Sequence, residues 1–173
     1  MRAGHPCRCT RALPVPACCE APVSSRHGGF CACCGPSGPG SGPRGPTPVT
    51  TAVPTDVDGV PIGPEILSGR DGSDRVNRVL RRAYGEPDYA TWAAAEHAEP
   101  KVALWMNDNG ITFSNVVINQ NYICGGDGGA GCLNVLPALL EQGRSMRVWY
   151  RDAEGILQRS GLIHGTAPRG ATR

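Results

Sequence analysis

No apolar run in this chain approaches the ~20 residues that a membrane-spanning helix needs, so no membrane segment is expected. Nor does an apolar stretch of about 7–15 residues follow the initial Arg2, so no secretory signal is expected; if the protein leaves its cell, another system is expected to carry it. Lysine is almost missing. Lys101 stands alone beside sixteen Arg, and 17 basic against 15 acidic residues give a net charge of only +2. So small an imbalance selects no class of partner, and only the local distribution of charge can do so. The arginine bias suits phosphate contacts and equally reflects the codon usage of a GC-rich genome. Aromatic residues are scarce too, and Phe30 is the only one before Tyr84, so the first part of the chain has little with which to nucleate a core. At 173 residues there is room for one ordinary domain with a tail, or two very small ones, but not for a large multidomain machine.

What the first part does hold is cysteine, proline and glycine. Seven of nine Cys (Cys7, Cys9, Cys18, Cys19, Cys31, Cys33, Cys34) lie within 34 residues, and twelve of sixteen Pro within 75. Such a segment cannot bury enough apolar area to offset chain entropy. Residues 1–48 are therefore expected to be a disordered, low-complexity leader, with a domain over 49–173. The leader's Cys-x-Cys and Cys-Cys spacings lack the C-x₂-C pairs of zinc modules, and an odd thiol count argues against a closed disulfide framework.

Beyond the leader the pattern is α/β. Thr51–Val53 and Pro64–Ser68 read as short strands around the turn-forming Asp58-Gly59. Val76, Val79, Leu80, Ala83 and Tyr84 follow a helical repeat, with Ser73 as the expected N-cap and Gly85 just past the end. The opposite face of that helix carries Arg75, Arg78, Arg81 and Arg82. Pro100 fits only a first helical turn, which predicts a second helix from Ala98 or Glu99 to about Asn107. Ile111–Ile118 reads as a central strand, a glycine-rich loop covers 125–131, and a third helix follows over Cys132–Gln142, bent at Pro137. Ser145–Arg151 and Gly155–Ile163 read as two further strands.

The residues that carry chemistry sit where two of these helices begin. His97-Ala98-Glu99 opens one, while Cys124 and Cys132 flank the opening of the other. A catalytic zinc takes three protein ligands and leaves a fourth position for water, and one His with two Cys meets that count. Two thiolates and a neutral imidazole would neutralise the ion, and both helix N-termini would direct positive partial charge at the site. Glu99, two residues beyond His97, is placed to exchange protons without ligating. Taken singly, a His before a helix is usually a surface or capping residue, and a lone Cys a small buried hydrophobe. Together they form the H-x-E…C-x-x-C type of arrangement used by zinc nucleobase deaminases.

From His97 to Tyr150 the sequence resembles the DddA-like cytosine deaminases, toxin domains at the C-termini of bacterial secreted polymorphic toxins. The matching segments are His-Ala-Glu-Pro-Lys-Val-Ala-Leu-Trp-Met-Asn-Asp-Asn-Gly-Ile, Val-Val-Ile-Asn-Gln-Asn, Cys124, Gly131-Cys132 and Leu-Pro-Ala-Leu-Leu, with Ile66–Gly72 upstream. The likeness covers roughly residues 50–163. It implies a three-layer cytidine-deaminase-like sandwich in which helices flank a mixed sheet and zinc lies between two helix N-termini. His97, Cys124 and Cys132 take the ligand positions, Glu99 the proton-shuttle position, and Asn119 a place beside the nucleotide. Two departures stand out: Ile123 occupies a position where many deaminases carry Pro, and seven residues separate the two Cys where the shortest version has two.

The implied reaction is hydrolytic deamination of cytosine to uracil in DNA, single- or double-stranded. Tyr89, Trp92 and Tyr122 are candidates for stacking on the base or replacing it, and each is equally a packing residue. For phosphate contacts, Arg78 and Arg82 are favoured over the Arg144, Arg147 and Arg151 group, in which residues 147, 149 and 151 share one side of a strand. The resemblance further implies a monomer, a protective immunity protein, and delivery into a target cell. Two other readings stay open: a deaminase acting on RNA or free cytidine, and a non-catalytic zinc-stabilised binding module, which would need no Glu99.

Overall fold

The computed structural model describes residues 49–125 and 131–173. The disorder expected of residues 1–48, with the leader's cysteine clusters, lies outside the described residues, as does the middle of the glycine-rich loop. The elements run β1 (Thr51–Thr55), β2 (Ile66–Leu67), α1 (Ser73–Tyr84), a 3-10 turn (Ala93–Glu96), α2 (Ala98–Asp108), β3 (Phe113–Ile118), α3 (Cys132–Leu139), β4 (Ser145–Arg151), β5 (Leu157–Arg159) and β6 (Ile163–His164). In the sheet they take the order β2-β1-β3-β4-β5, with β6 also on β4. β3 and β4 are parallel, Val116 lying beside Val148, and the other strand pairs in that order, with β4–β6, are antiparallel. A parallel pair needs a crossover, which α3 supplies. The sheet is therefore mixed and the fold α/β, as expected.

Alternation along the strands decides where the core lies. Ala52, Val116, Ile118, Met146 and Val148 are buried on one side of the sheet, under α2 and α3. α1 in turn packs on α2, α3 and the 3-10 turn, through Val76, Val79 and Leu80. Leu80, Met106, Leu136 and Leu139 are fully buried, and each such side chain contributes about 1.5–3 kcal/mol. The layers are thus sheet, helix pair and helix, and among the described residues no helix covers the far side of the sheet. β3 is the central strand, as expected, and its far side is open: Val117 is 44% exposed.

Three element ends also differ from expectation. Ser73 does not cap α1. Gly72, in the left-handed region at φ 74°, turns the chain so sharply that Ser73 is already helical and buried, and its hydroxyl donates back to the Arg70 carbonyl. α3 stops at Leu139 rather than Gln142, because Pro137 lacks an N–H and its carbonyl is taken by the N–H and hydroxyl of Thr166, at 2.8 and 3.0 Å. The single strand expected over Gly155–Ile163 is split in two. Met146 pairs with Ile163 and Trp149 with Arg159, so residues 160–162 oppose only residues 147–148, which is a one-residue bulge.

Candidate metal centre

The 3-10 turn ends at Glu96, and His97 then adopts extended backbone angles (φ −75°, ψ 156°) that make it both the end of that turn and the N-cap of α2. Its side chain does not cap the helix, which leaves the imidazole to face the second helix mouth. Glu99 and Pro100 follow in the first turn of α2, both buried; Pro100 costs nothing there, since first-turn N–H groups have no helical partner. Cys132 opens α3 and is fully buried.

Cys124 reaches the same place despite its distance in sequence. Gly125 (φ 100°) and Gly131 touch: a Cβ on Gly131 would lie 2.5 Å from the Gly125 nitrogen and 2.7 Å from the Cys124 carbonyl carbon. The glycine-rich loop therefore leaves and returns at one point, and the seven-residue spacing does not separate the thiols. The Leu133 N–H donates to the Cys124 carbonyl at 3.1 Å, and the Cys132 N–H to Cys124 Sγ at 3.0 Å.

Together these elements bring His97 Nδ1 to 3.1 Å from Cys132 Sγ and 3.4 Å from Cys124 Sγ, with all three donor atoms within 4.8 Å of one another. Bond lengths of about 2.0–2.3 Å around a tetrahedral ion put its ligand atoms about 3.5 Å apart, so a small shift seats a metal here. The donor set, one imidazole and two thiols at two helix N-termini, fits such an ion chemically as well as sterically.

Electrostatics divides the thiols into unlike partners. Cys124 is pulled down to about 4, first by the hydrogen bond from the Cys132 thiol, and against burial, with His97 and the Cys132 N–H assisting. Cys132 is pushed well above its usual value by donating to Cys124, by burial and by Glu99. The hydrogen bond to Cys124 raises His97 despite burial. Glu99 is also raised, chiefly by burial, and its carboxyl group contacts the Cys132 thiol.

Several supporting residues carried no signal in the sequence. Lys101 Nζ donates to the carbonyls of Leu67 and Gly69, both at 2.8 Å, while the Gly69 N–H donates to Glu96, so the segment after β2 is tied to the mouth of α2. Only its four-residue step from His97, one helical turn, could have drawn attention to it. Asn134 Nδ2 donates to the Gly125 carbonyl at 3.1 Å, and the Tyr84 hydroxyl donates to the Asn134 carbonyl at 3.3 Å.

Of the expected site residues, the structure gathers His97, Glu99, Cys124 and Cys132. Asn119 spends its amide on β1, accepting from the Thr51 N–H at 2.8 Å and donating to the Val49 carbonyl at 3.3 Å. Trp92 is half-buried with its ring 6.1 Å from that of Tyr84, whereas Tyr89 and Tyr122 are exposed. On α1, Arg78 is exposed and Arg82 reaches the Ala171 carbonyl at 3.4 Å; Arg75 is paired with Asp108, and Arg81 donates to the Ala90 carbonyl. Arg144 turns inward, onto the Met106, Asn107 and Ile111 carbonyls and Glu141.

A family model described as SCP1.201-like deaminase matches residues 49–166, more than half of the chain. The chain belongs to the SCP1.201-like deaminase family. Among curated proteins none matches it. The family assignment agrees with the resemblance read from the sequence and covers nearly the same residues. Among the described residues of this SCP1.201-like domain, His97, Cys124 and Cys132 form a group able to hold a metal ion, with Glu99 buried beside them. No helix among the described residues is long and apolar enough to cross a membrane.

Proposed function

We propose that this SCP1.201-like domain is a zinc-dependent hydrolase that converts cytosine in DNA to uracil and ammonia, and that it acts as a bacterial toxin domain delivered into a target cell. The observation that carries the reading is Glu99. A carboxyl group only 3% exposed, in the first turn of a helix whose N-cap is a metal-ligand His, has no packing advantage over an apolar residue. It does suit proton transfer. His97, Cys124 and Cys132 would hold the ion, and bound zinc supplies Lewis acidity and lowers the pKa of a water in its open position to about 7. Glu99, its affinity for protons raised by burial, carries one proton from the attacking water to ring N3, then a second from the hydroxyl so formed on C4 to the departing amine, which leaves as ammonia.

Phosphates of the substrate would meet Arg78 and Arg82, and Asn119, Tyr89, Trp92 and Tyr122 would lie toward the base. In a duplex the target must leave the stack at a cost of a few kcal/mol, which single strands avoid. The domain works as a monomer, and a producing cell needs an immunity protein that covers the site.

The test offers cytosine in single-stranded DNA, duplex DNA, RNA and free cytidine, followed by uracil glycosylase cleavage of the DNA. Uracil in either DNA supports the reading. Product confined to RNA or cytidine would move the substrate, and one zinc per chain without any product would leave a zinc-stabilised binding module.

A further inference from the structure

The register of the sheet assembles a second surface, on the side away from α2 and α3. Pairing fixes the neighbours there: Val53 lies opposite Val117, Val117 beside Trp149, and Trp149 opposite Arg159. In the next row Thr55, Asn115 and Arg147 stand together, and Arg151 pairs with Leu157. These side chains face away from the helices, because the residues between them, Val116, Met146 and Val148, are the buried ones. The side chains of Arg147, Arg151 and Arg159 therefore share one side of the sheet, and no strand residue on that side is acidic. Arg151 and Arg159 are exposed and Arg147 is half-buried, with Arg151 also donating to the Gly155 carbonyl at 2.9 Å. The nearest carboxylate in sequence, Asp152, is occupied by Gln158 Nε2 and the Ile156 N–H, both at 2.8 Å.

Two details set this surface apart from a merely solvated one. Arg147 Nε is buried and, among the described residues, has no hydrogen-bond partner, although buried donors are almost always satisfied. Arg159 lies over the Trp149 ring, 5.6 Å from its centroid, and that ring is itself fixed by Nε1 donating to Asn115 Oδ1 at 2.9 Å. A guanidinium layered on a locked indole presents its edge to a phosphate and its flat side to a base.

We propose that this side of the sheet binds a single strand of nucleic acid, with Arg147, Arg151 and Arg159 on its phosphates and the Trp149–Arg159 stack against a base. Arg147 and Arg151 stand about 13 Å apart along one strand, in line with an extended row of phosphates rather than with the paired backbones of a duplex. The proposal rests on nucleic acid as the substrate polymer, and it adds a contact surface separate from the metal centre.

The experiment measures anisotropy of a labelled 15-nucleotide thymidine oligomer, which contains no cytosine, against the whole protein at several salt concentrations. R151Q/R159Q should raise Kd about tenfold and make the salt slope shallower by about 1.4, as expected for two lost phosphate contacts on a single strand, with melting temperature unchanged. R147Q, read beside its own melting curve, should do the same by about half. Wild-type Kd and slope in R151Q/R159Q, or a loss found only in R78Q/R82Q, overturn the proposal. So does a loss of binding to anionic vesicles, or of self-association, with oligomer binding intact. Because the oligomer cannot be deaminated, a wild-type protein that binds it yet forms no uracil from any cytosine substrate defeats the deaminase reading and leaves this one standing.

Discussion

Glu99 and its neighbour in sequence, Glu96, differ in burial and so in the part the proposed reaction gives them. Glu96 is exposed, 3.9 Å from the solvated Arg70 side chain, whereas Glu99 is buried beside the thiols. Glu99→Ala is expected to keep the far-UV spectrum and the bound metal while turnover falls by at least ~10²–10⁴-fold, and Glu96→Ala to stay near wild type. Activity that survives the first change and disappears with the second would reverse the assignment. Gly131 makes a different kind of prediction. A methyl group there meets backbone atoms at 2.5 and 2.7 Å, which cannot rotate away, so Gly131→Ala should push Cys124 from Cys132 and weaken metal binding about 10–100-fold in a chelator competition. The four central residues of the site were legible in the sequence because each is a chemically specialised type at a helix start. Gly131's role was not, because it depends on contact with Gly125, which sequence order alone does not reveal.

Helices α2 and α3 both start at the candidate metal centre, pack on each other and are tied at their far ends by Asn107. Its Nδ2 donates to the Leu139 carbonyl at 2.7 Å, and its Oδ1 accepts from the Glu141 N–H at 3.2 Å, in a place with 1% exposure. Asn107→Ala leaves two buried backbone groups unpaired, which should cost about 2–4 kcal/mol in urea unfolding; a loss below 0.5 kcal/mol would show that water takes over both partners. The C-terminal end of α1, both ends of α2 and all of β4 could be read from the sequence, because periodicity, Pro100 and flanking glycines act locally. The end of α3 could not, since it depends on Thr166 reaching Pro137 from 29 residues away. Nor could the break between β5 and β6, which is a matter of register against β4. The 3-10 turn before His97 is short and alanine-rich, with no period to betray it.

At the scale of the whole molecule, Ala167 and Thr172 are buried although they lie beyond the matched 49–166 stretch. Thr172 is 1% exposed, and Glu141 Oε1 accepts from the Gly170 N–H at 2.7 Å and the Thr172 hydroxyl at 3.2 Å. Burial alone would raise the Glu141 pKa, but these donors and Arg144 outweigh it and hold the carboxyl below its ordinary value of 4.5. A depressed carboxyl stabilises the fold fully above the unfolded-state pKa, and that contribution disappears as pH falls through the folded one. Thermal melts from pH 7 to pH 3 should therefore show a decline below about pH 4.5 that is shallower in Glu141→Gln, whose melting temperature at pH 7 is already lower. Parallel curves for the two proteins would mean that Glu141 is not the group responsible.

The touching pair Gly125 and Gly131 also makes the chain length between them a free variable. Loop closure grows costlier only slowly, by about 0.6 kcal/mol for each doubling in length, and the anchor points are set by the pair rather than by what joins them. A peptide tag, or a small domain whose own ends lie close together, spliced in at residue 128 should leave the thiols in place. The same position is thus a natural port for attaching a reporter beside the active centre, or for cutting the domain into halves that are inert until rejoined.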